Sequence, residues 1–229
     1  MIRLQALTKV FRSGRGEIRA LADVSATIEA GRFTAVIGKS GSGKSTLLNC
    51  IGGLEPPDKG SISCFGTAIY ALGATELSRF QRREIGFVFQ QGNLLSYLTV
   101  AENIGFPLAL NGVGARLRSQ KIDELLRRIG LPSAAKALPR ELSSGEAQRV
   151  ALARAIAHHP RILLADEPTA NLDTATGRQA VQLMRDLGRE HRCTIIMATH
   201  DDEIRAAADR VIRLKDGRIH HEEELKEEQ

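Results

Sequence analysis

The chain opens with apolar and polar residues taking turns. Ile2, Leu4 and Ala6 alternate with Arg3 and Gln5, and Val10 and Phe11 follow, which predicts a first β-strand. A Ser-Gly-Arg-Gly turn from Ser13 to Gly16 leads to two further short strands, Ile18 to Leu21 and Val24 to Ile28. Several strands thus precede any long helix, and a small antiparallel sheet is the economical arrangement. The pattern then becomes a continuous apolar run, Thr34 to Ile37, broken by Gly38, Gly41 and Gly43 and resumed as a helix-forming run from Lys44. Gly52, Gly53, Pro56 and Pro57 stop that helix. Ser61 to Phe65 reads as a short strand, Thr75 to Arg83 as a polar helix, and Ile85 to Phe89 as a strand ending on Gln90 and Gln91.

From there to about His159 no convincing strand appears. Glu102 to Leu110 is helical despite Pro107, and Ile122, Leu125, Leu126 and Ile129 share one helical face. Alternation of strand and helix then returns. Arg161 to Ala165 is an apolar strand ending in Asp166 and Glu167, Ala175 to Glu190 a helix, and Cys193 to Ala198 a strand ending near His200. Asp201 to Ala208 is predicted helical, and Val211 to Leu214 with Ile219 forms a last hairpin around Asp216 and Gly217. The expected organisation is one α/β unit: residues 1–90 and 160–221 as the core with an N-terminal antiparallel β subdomain, residues 91–159 as an inserted all-α subdomain, and residues 222–229 as an acidic tail.

Composition narrows the class. Apolar residues make up 42% and charged residues 26% of 229, ordinary for a globular protein. No apolar run approaches the roughly 18 residues that span a bilayer. The start lacks the long apolar segment of a signal peptide, so a cytosolic chain is expected. Three cysteines, far apart and in no C-x-x-C pair, suggest neither a disulfide framework nor a zinc site. The net charge of +5 includes an acidic end, Glu222, Glu223, Glu224, Glu227 and Glu228 against Lys226, so the body is more basic than the total. Its basic residues are scattered and aromatics are only 4%. A base-stacking surface is therefore unsupported, and no direct contact with nucleic acid is expected.

The chemistry lies in Phe33 to Leu48. Gly38, Gly43, Lys44 and Ser45 satisfy the G-x-x-x-x-G-K-[ST] spacing between a strand and a helix. A triphosphate needs donors converging on one small volume, so Gly38, Ser40, Gly41, Ser42 and Gly43 would curl their backbone inward, and the new helix, through Lys44, Ser45 and Thr46, would add its positive end. Lys44 would reach the β- and γ-phosphates, and Ser45 would offer its hydroxyl to Mg²⁺. Asp166, at the end of an apolar strand, would hold Mg²⁺ opposite Ser45. Glu167 beside it is better placed as a base for the attacking water. These residues are therefore expected to bind a nucleoside triphosphate together with Mg²⁺. Phe11, next to a flexible turn, is either a core residue or a stacking platform for a base.

Leu142, Ser143, Ser144, Gly145, Glu146, Gln148 and Arg149 resemble the LSGGQ-type signature of ATP-binding cassette (ABC) ATPases. The segment lies between Gln90 and the Asp166-Glu167 pair, in that family's order. Asn171, Leu172 and Asp173 are similar to its D-loop, and His200 to its switch histidine. The resemblance covers essentially the whole chain and implies a P-loop NTPase (RecA-like) core. It also implies a homodimer in which each ATP lies between the P-loop of one copy and the signature of the other, with Ser143, Ser144, Gly145, Glu146 and Asp173 acting in trans. Under the same resemblance His200 would hold the γ-phosphate and attacking water, Gln90 would sense Mg²⁺, and Phe11 would stack on the base. Ser144 stands where glycine is usual; if its φ is positive, closure should be slower, and Ser144→Gly should preserve or raise the ATPase rate.

With no spanning segment of its own, a cassette of this kind would sit at the cytoplasmic face of the cell membrane and drive an integral permease on a separate chain. The stretches GFVFQQGNLLSYLTVAENI, DEPTANLD and THDDEIRAAADRVIRLKDGRI look most like the lipoprotein-release and macrolide-export branch. An ATPase regulating cell division or wall hydrolysis shares every residue named. A soluble ATP-driven clamp on nucleic acid is less favoured, since such relatives usually carry two cassettes or a long coiled coil.

Overall fold

A computed structural model of the chain describes residues 1–14, 16–201 and 204–225. Strands β1 (Ile2–Ser13), β2 (Gly16–Ile28), β4 (Lys59–Cys64) and β5 (Thr67–Ala68) form an antiparallel sheet in the order β2-β1-β4-β5. A second sheet has the order β10-β9-β3-β8-β7-β6. Its members are β3 (Phe33–Ile37), β6 (Ile85–Val88), β7 (Ile162–Asp166), β8 (Thr194–Thr199), β9 (Arg210–Lys215) and β10 (Arg218–Glu224). All its pairings are parallel except the β9–β10 hairpin.

Alternation along the parallel strands divides the core in two. Phe33, Ala35 and Ile37 of β3, Leu163 and Ala165 of β7, and Ile195 and Met197 of β8 face one cluster. Val36, Ile162, Leu164, Ile196 and Ala198 face the other, which includes Leu47, Leu48 and Ile51 of α1 (Lys44–Ile51) and Leu4, Leu7 and Leu21 of the antiparallel sheet. Both faces are covered, which is why these strands read as apolar runs rather than as alternating ones. Cys50, Cys64 and Cys193 are free and buried, and burial pushes each thiol up to about 12.

The first face packs against a helical region: α3 (Val100–Leu110), α4 (Ala115–Arg128) and α5 (Ser144–Ile156), with no strand among residues 91–159. Helix α3 tolerates Pro107 and starts on a capping box of Thr99 and Glu102. Asn103, fully buried, satisfies Leu95, Leu98 and Thr99 and so fixes the approach to that helix. Two further helices, α2 (Ala74–Glu84) and α6 (Thr174–Glu190), complete the α-helices among the described residues.

Three expectations change. The separate strands at 18–21 and 24–28 are one strand, because Asp23 takes φ 59° and lets β2 pass through a bulge opposite β1. The helix expected over Asp201 to Ala208 is a short 3₁₀ turn, Ile204–Ala207, within the described residues. The acidic end is not a loose tail from Glu222: Glu222, Glu223 and Glu224 belong to β10, paired with Ile212, Val211 and Arg210. Arg210 holds Glu222 and Glu224, Arg205 holds Glu223, and Arg32 reaches Glu224 at 3.2 Å. The remainder of that expectation, residues 226–229, lies outside the described residues.

Candidate active site

Strand β3 delivers the chain into a tight loop that glycine makes possible. Gly41 and Gly43 take φ 77° and 102°, conformations that L side chains rarely adopt. A side chain on Gly38 would collide with Ser42 and the Leu214 carbonyl. The loop closes through Ser42 N–H to Lys39 O at 3.1 Å, and the β9–β10 hairpin braces it through Gly217 N–H to Ser42 O at 3.1 Å. Inside it Lys44, only 5% exposed, donates from Nζ to the carbonyls of Gly38 at 2.9 Å and Lys39 at 3.3 Å. The Ser42 hydroxyl is buried with no partner, an orphan that a bound anion would satisfy. Ser40 is exposed on the rim, and Thr46 is half-buried in the first turn of α1.

The carboxyl end of β7 stands opposite. Ser45 Oγ donates to Asp166 Oδ1 at 3.0 Å. Burial pushes the Asp166 carboxyl up and the Glu167 charge adds to this, while Ser45 and Lys44 pull it down. Two oxygen donors, one a carboxylate whose charge is under-compensated, fit a hard divalent cation such as Mg²⁺. Glu167 takes φ 44°, its amide donating to Ala198 O at 2.9 Å. Its two carboxylate oxygens are both engaged: Oε1 lies 3.2 Å from Lys44 Nζ and Oε2 lies 3.2 Å from His200 Nδ1. A cleft of about 540 Å³, bordered by Gly38, Lys39, Ser40, Glu167, His200 and Arg213, opens onto this cluster.

The other named residues lie in three further places. Ser143, Ser144, Gly145 and Glu146 start α5, and Asp173 caps α6, accepting from Thr176 N–H at 3.0 Å; hydrogen bonds from the Thr176 side chain and then its backbone hold the Asp173 carboxyl below the usual range. A Cβ on Gly145 would meet Thr176 Cγ2 at 2.7 Å, so the two helix starts are packed together. Gln90 is exposed on the turn after β6, and its carbonyl accepts from Asn171 Nδ2 at 3.4 Å. The same turn is gripped by α5: Arg154 donates to the carbonyls of Gly92 and Asn93, both at 2.8 Å, and Gln148 to that of Phe89 at 3.3 Å. Phe11 is 41% exposed near the end of β1, with Lys9 Nζ 5.4 Å from its ring centroid.

Residues 21–170 match the family model described as ABC transporter. The chain belongs to the ABC transporter family. Among curated relatives, the macrolide export ATP-binding/permease protein MacB of Rhodopirellula baltica is 42% identical over 96% of this chain. The methionine import ATP-binding protein MetN of Corynebacterium jeikeium is 44% identical over 93%. This chain spans 32% of that MacB and 58% of that MetN. A solved dimer of the ATP-binding cassette MJ0796 in a post-hydrolysis state, bound to ADP and Pi, superposes with a TM-score of 0.92 at 40% identity, over 99% of each chain.

In this ABC transporter chain the concern over Ser144 is removed. Ser144 is the first residue of α5 and is absent from the non-glycine residues with positive φ, so its Cβ carries no left-handed strain. Sequence reasoning missed three features: the Lys44–Glu167 pair, the Arg154 grip, and the capping box at Ser143. The last was legible as S-x-x-E directly before a helix.

Proposed function

We propose that the chain is an ATP-hydrolysing cassette that binds MgATP between its own P-loop and the signature of a second copy, and drives a membrane permease. The observation carrying this is the convergence of Lys44, Ser45, Asp166, Glu167 and His200 on one cleft. Lys44 would exchange Glu167 for the β- and γ-phosphates, releasing Oε1 to take a proton from the attacking water. General-base action of this kind is worth roughly 10²–10⁴ in rate. His200, on the other carboxylate oxygen, orients the base. Ser45 and Asp166 would hold Mg²⁺, which supplies charge neutralisation at the phosphates. Ser143 and Gly145, at a helix start, face the γ-phosphate of the partner copy, and Phe11 stacks on the base.

Among the described residues no helix is long and apolar enough to cross a membrane, and the helical region offers a groove for one that does. Leu98, Ala101, Gly105, Phe106 and Ile122, with Glu102 and Arg118 among the rest of the lining, border a mainly apolar cavity of about 300 Å³ between α3 and α4. Phe106 there is 44% exposed and Tyr97 nearby 76%. Such a groove suits a short helix from a permease on a separate chain, which would hold the cassette at the cytoplasmic face of the membrane. Export or lipoprotein- and macrolide-type force transmission is the favoured task, supported by the likeness to MacB; the likeness to MetN supports import as the second reading.

The test is ATP-dependent dimerisation of Glu167→Gln by light scattering with Mg²⁺, with Gly145→Asp as the control. Conversion of monomer to dimer that the control abolishes is expected. ATP hydrolysis by a strict monomer would overturn the shared site.

A further inference from the structure

Ser143 directs both of its donors at one carboxylate oxygen. Its amide reaches Glu146 Oε2 at 2.8 Å and its hydroxyl reaches the same atom at 2.7 Å, while the Glu146 amide returns to Ser143 Oγ at 3.3 Å. These bonds hold the Glu146 carboxyl below its usual range, so it is charged at neutral pH. An anion already sits on the donors that the signature would present to a phosphate.

We infer that Glu146 is a positioning residue that competes from within the chain for the Ser143 donors, so that its charge sets how tightly the ATP-bound dimer closes. This rests on the shared-site reading above. Closure requires the carboxylate to leave two charge-assisted bonds, roughly twice as strong as neutral ones. Once displaced, it remains close to a phosphate of like charge. A glutamine in its place keeps an acceptor for Ser143, and hence the box, but is neutral and lets go more readily.

A purely structural cap predicts the opposite sign. Removing a negative charge from a helix N-terminus weakens the helix, so dimerisation would fall or stay level. The chain contains its own control, because Thr99 and Glu102 make the same box at the start of α3, with distances of 2.8, 2.8 and 3.3 Å. Glu102→Gln loses the same capping charge in a helix that carries no signature.

The experiment measures the dimer dissociation constant by analytical ultracentrifugation with MgATP, in a Glu167→Gln background. Adding Glu146→Gln is expected to tighten the dimer about tenfold for each site, and adding Glu102→Gln to leave it within about twofold. Fluorescent ATP binding to the monomer should be unchanged by Glu146→Gln, because the effect arises in trans. Glu146→Ala, which loses box and charge together, should still dimerise more tightly than the background while melting at a lower temperature. A weaker or unchanged dimer in folded Glu146→Gln protein overturns the competition. If the Glu167→Gln background itself stays monomeric, the shared site falls first and this inference with it.

Discussion

Gly43→Ala and Gly41→Ala separate two physical demands on the phosphate loop. Both glycines have positive φ, 102° and 77°, so each alanine meets conformational strain of about 1–2 kcal/mol. Their surroundings differ. A Cβ on Gly41 has open space, whereas one on Gly43 would overlap the Ala20 carbonyl oxygen of β2 and lie 3.2 Å from Leu21 Cδ2. A backbone carbonyl within a strand cannot swing aside as a side-chain tip can, so loop and antiparallel sheet must part. Overpacking of that kind adds about 1–3 kcal/mol. Gly43→Ala should therefore destabilise by about 2–5 kcal/mol and Gly41→Ala by about 1–2 kcal/mol. For a chain of this size the corresponding falls in Tm are about 4–20 °C and about 2–8 °C. Urea unfolding of the nucleotide-free protein at pH 7.5 measures both. Equal losses in the two variants would show that the antiparallel sheet does not seat the loop.

Asp166 carries a raised pKa, so its ionised form opposes folding above that value. The favourable share is present below the ordinary 3.8 and lost as pH rises through the folded value. Asp166→Asn should thus raise the urea midpoint of the ligand-free protein at pH 7 while abolishing Mg²⁺-dependent ATP hydrolysis; a lowered midpoint would contradict this. His158, His159 and His191 are depressed, chiefly by burial, below 6.5. Their contribution is complete above 6.5 and lost as pH falls toward their folded values, so the urea midpoint should drop between pH 7.5 and 5.5. The drop should be smaller in His159→Gln/His191→Gln, whose wild-type rings meet Nδ1 to Nδ1 at 2.9 Å. Ser144→Gly should keep the ATPase rate and lose up to about 1 kcal/mol of stability from helix α5; a marked fall in rate would show that the serine side chain takes part.

The parallel sheet and P-loop were legible because burial on both faces leaves apolar runs, and because the loop's glycines are a steric requirement. The helical region was legible from periodicity at Ile122, Leu125, Leu126 and Ile129. What escaped reading depends on contacts between distant segments. Glu222 to Glu224 look like a solvated end until Arg32, Arg205 and Arg210 are brought beside them. The pairing of Lys44 with Glu167 joins the first and last thirds of the chain, and nothing local encodes it. Asp23 hid for another reason: a single residue in left-handed conformation lets one strand run on where two short ones were expected.

Arg154, Gln148 and Asn171 together fasten the carbonyls of residues 89, 90, 92 and 93. A loop tied to α5 on one side and to the approach to α6 on the other is expected to move with them. It would act as a pointer on an arm, registering where α5 stands. On the proposed mechanism the Gln90 side chain and the Arg154 guanidinium would serve different functions carried by one turn. Removing the first strips the pointer of its tip, and removing the second lets the pointer slip on its shaft, so chemistry and transmission are open to separate repair.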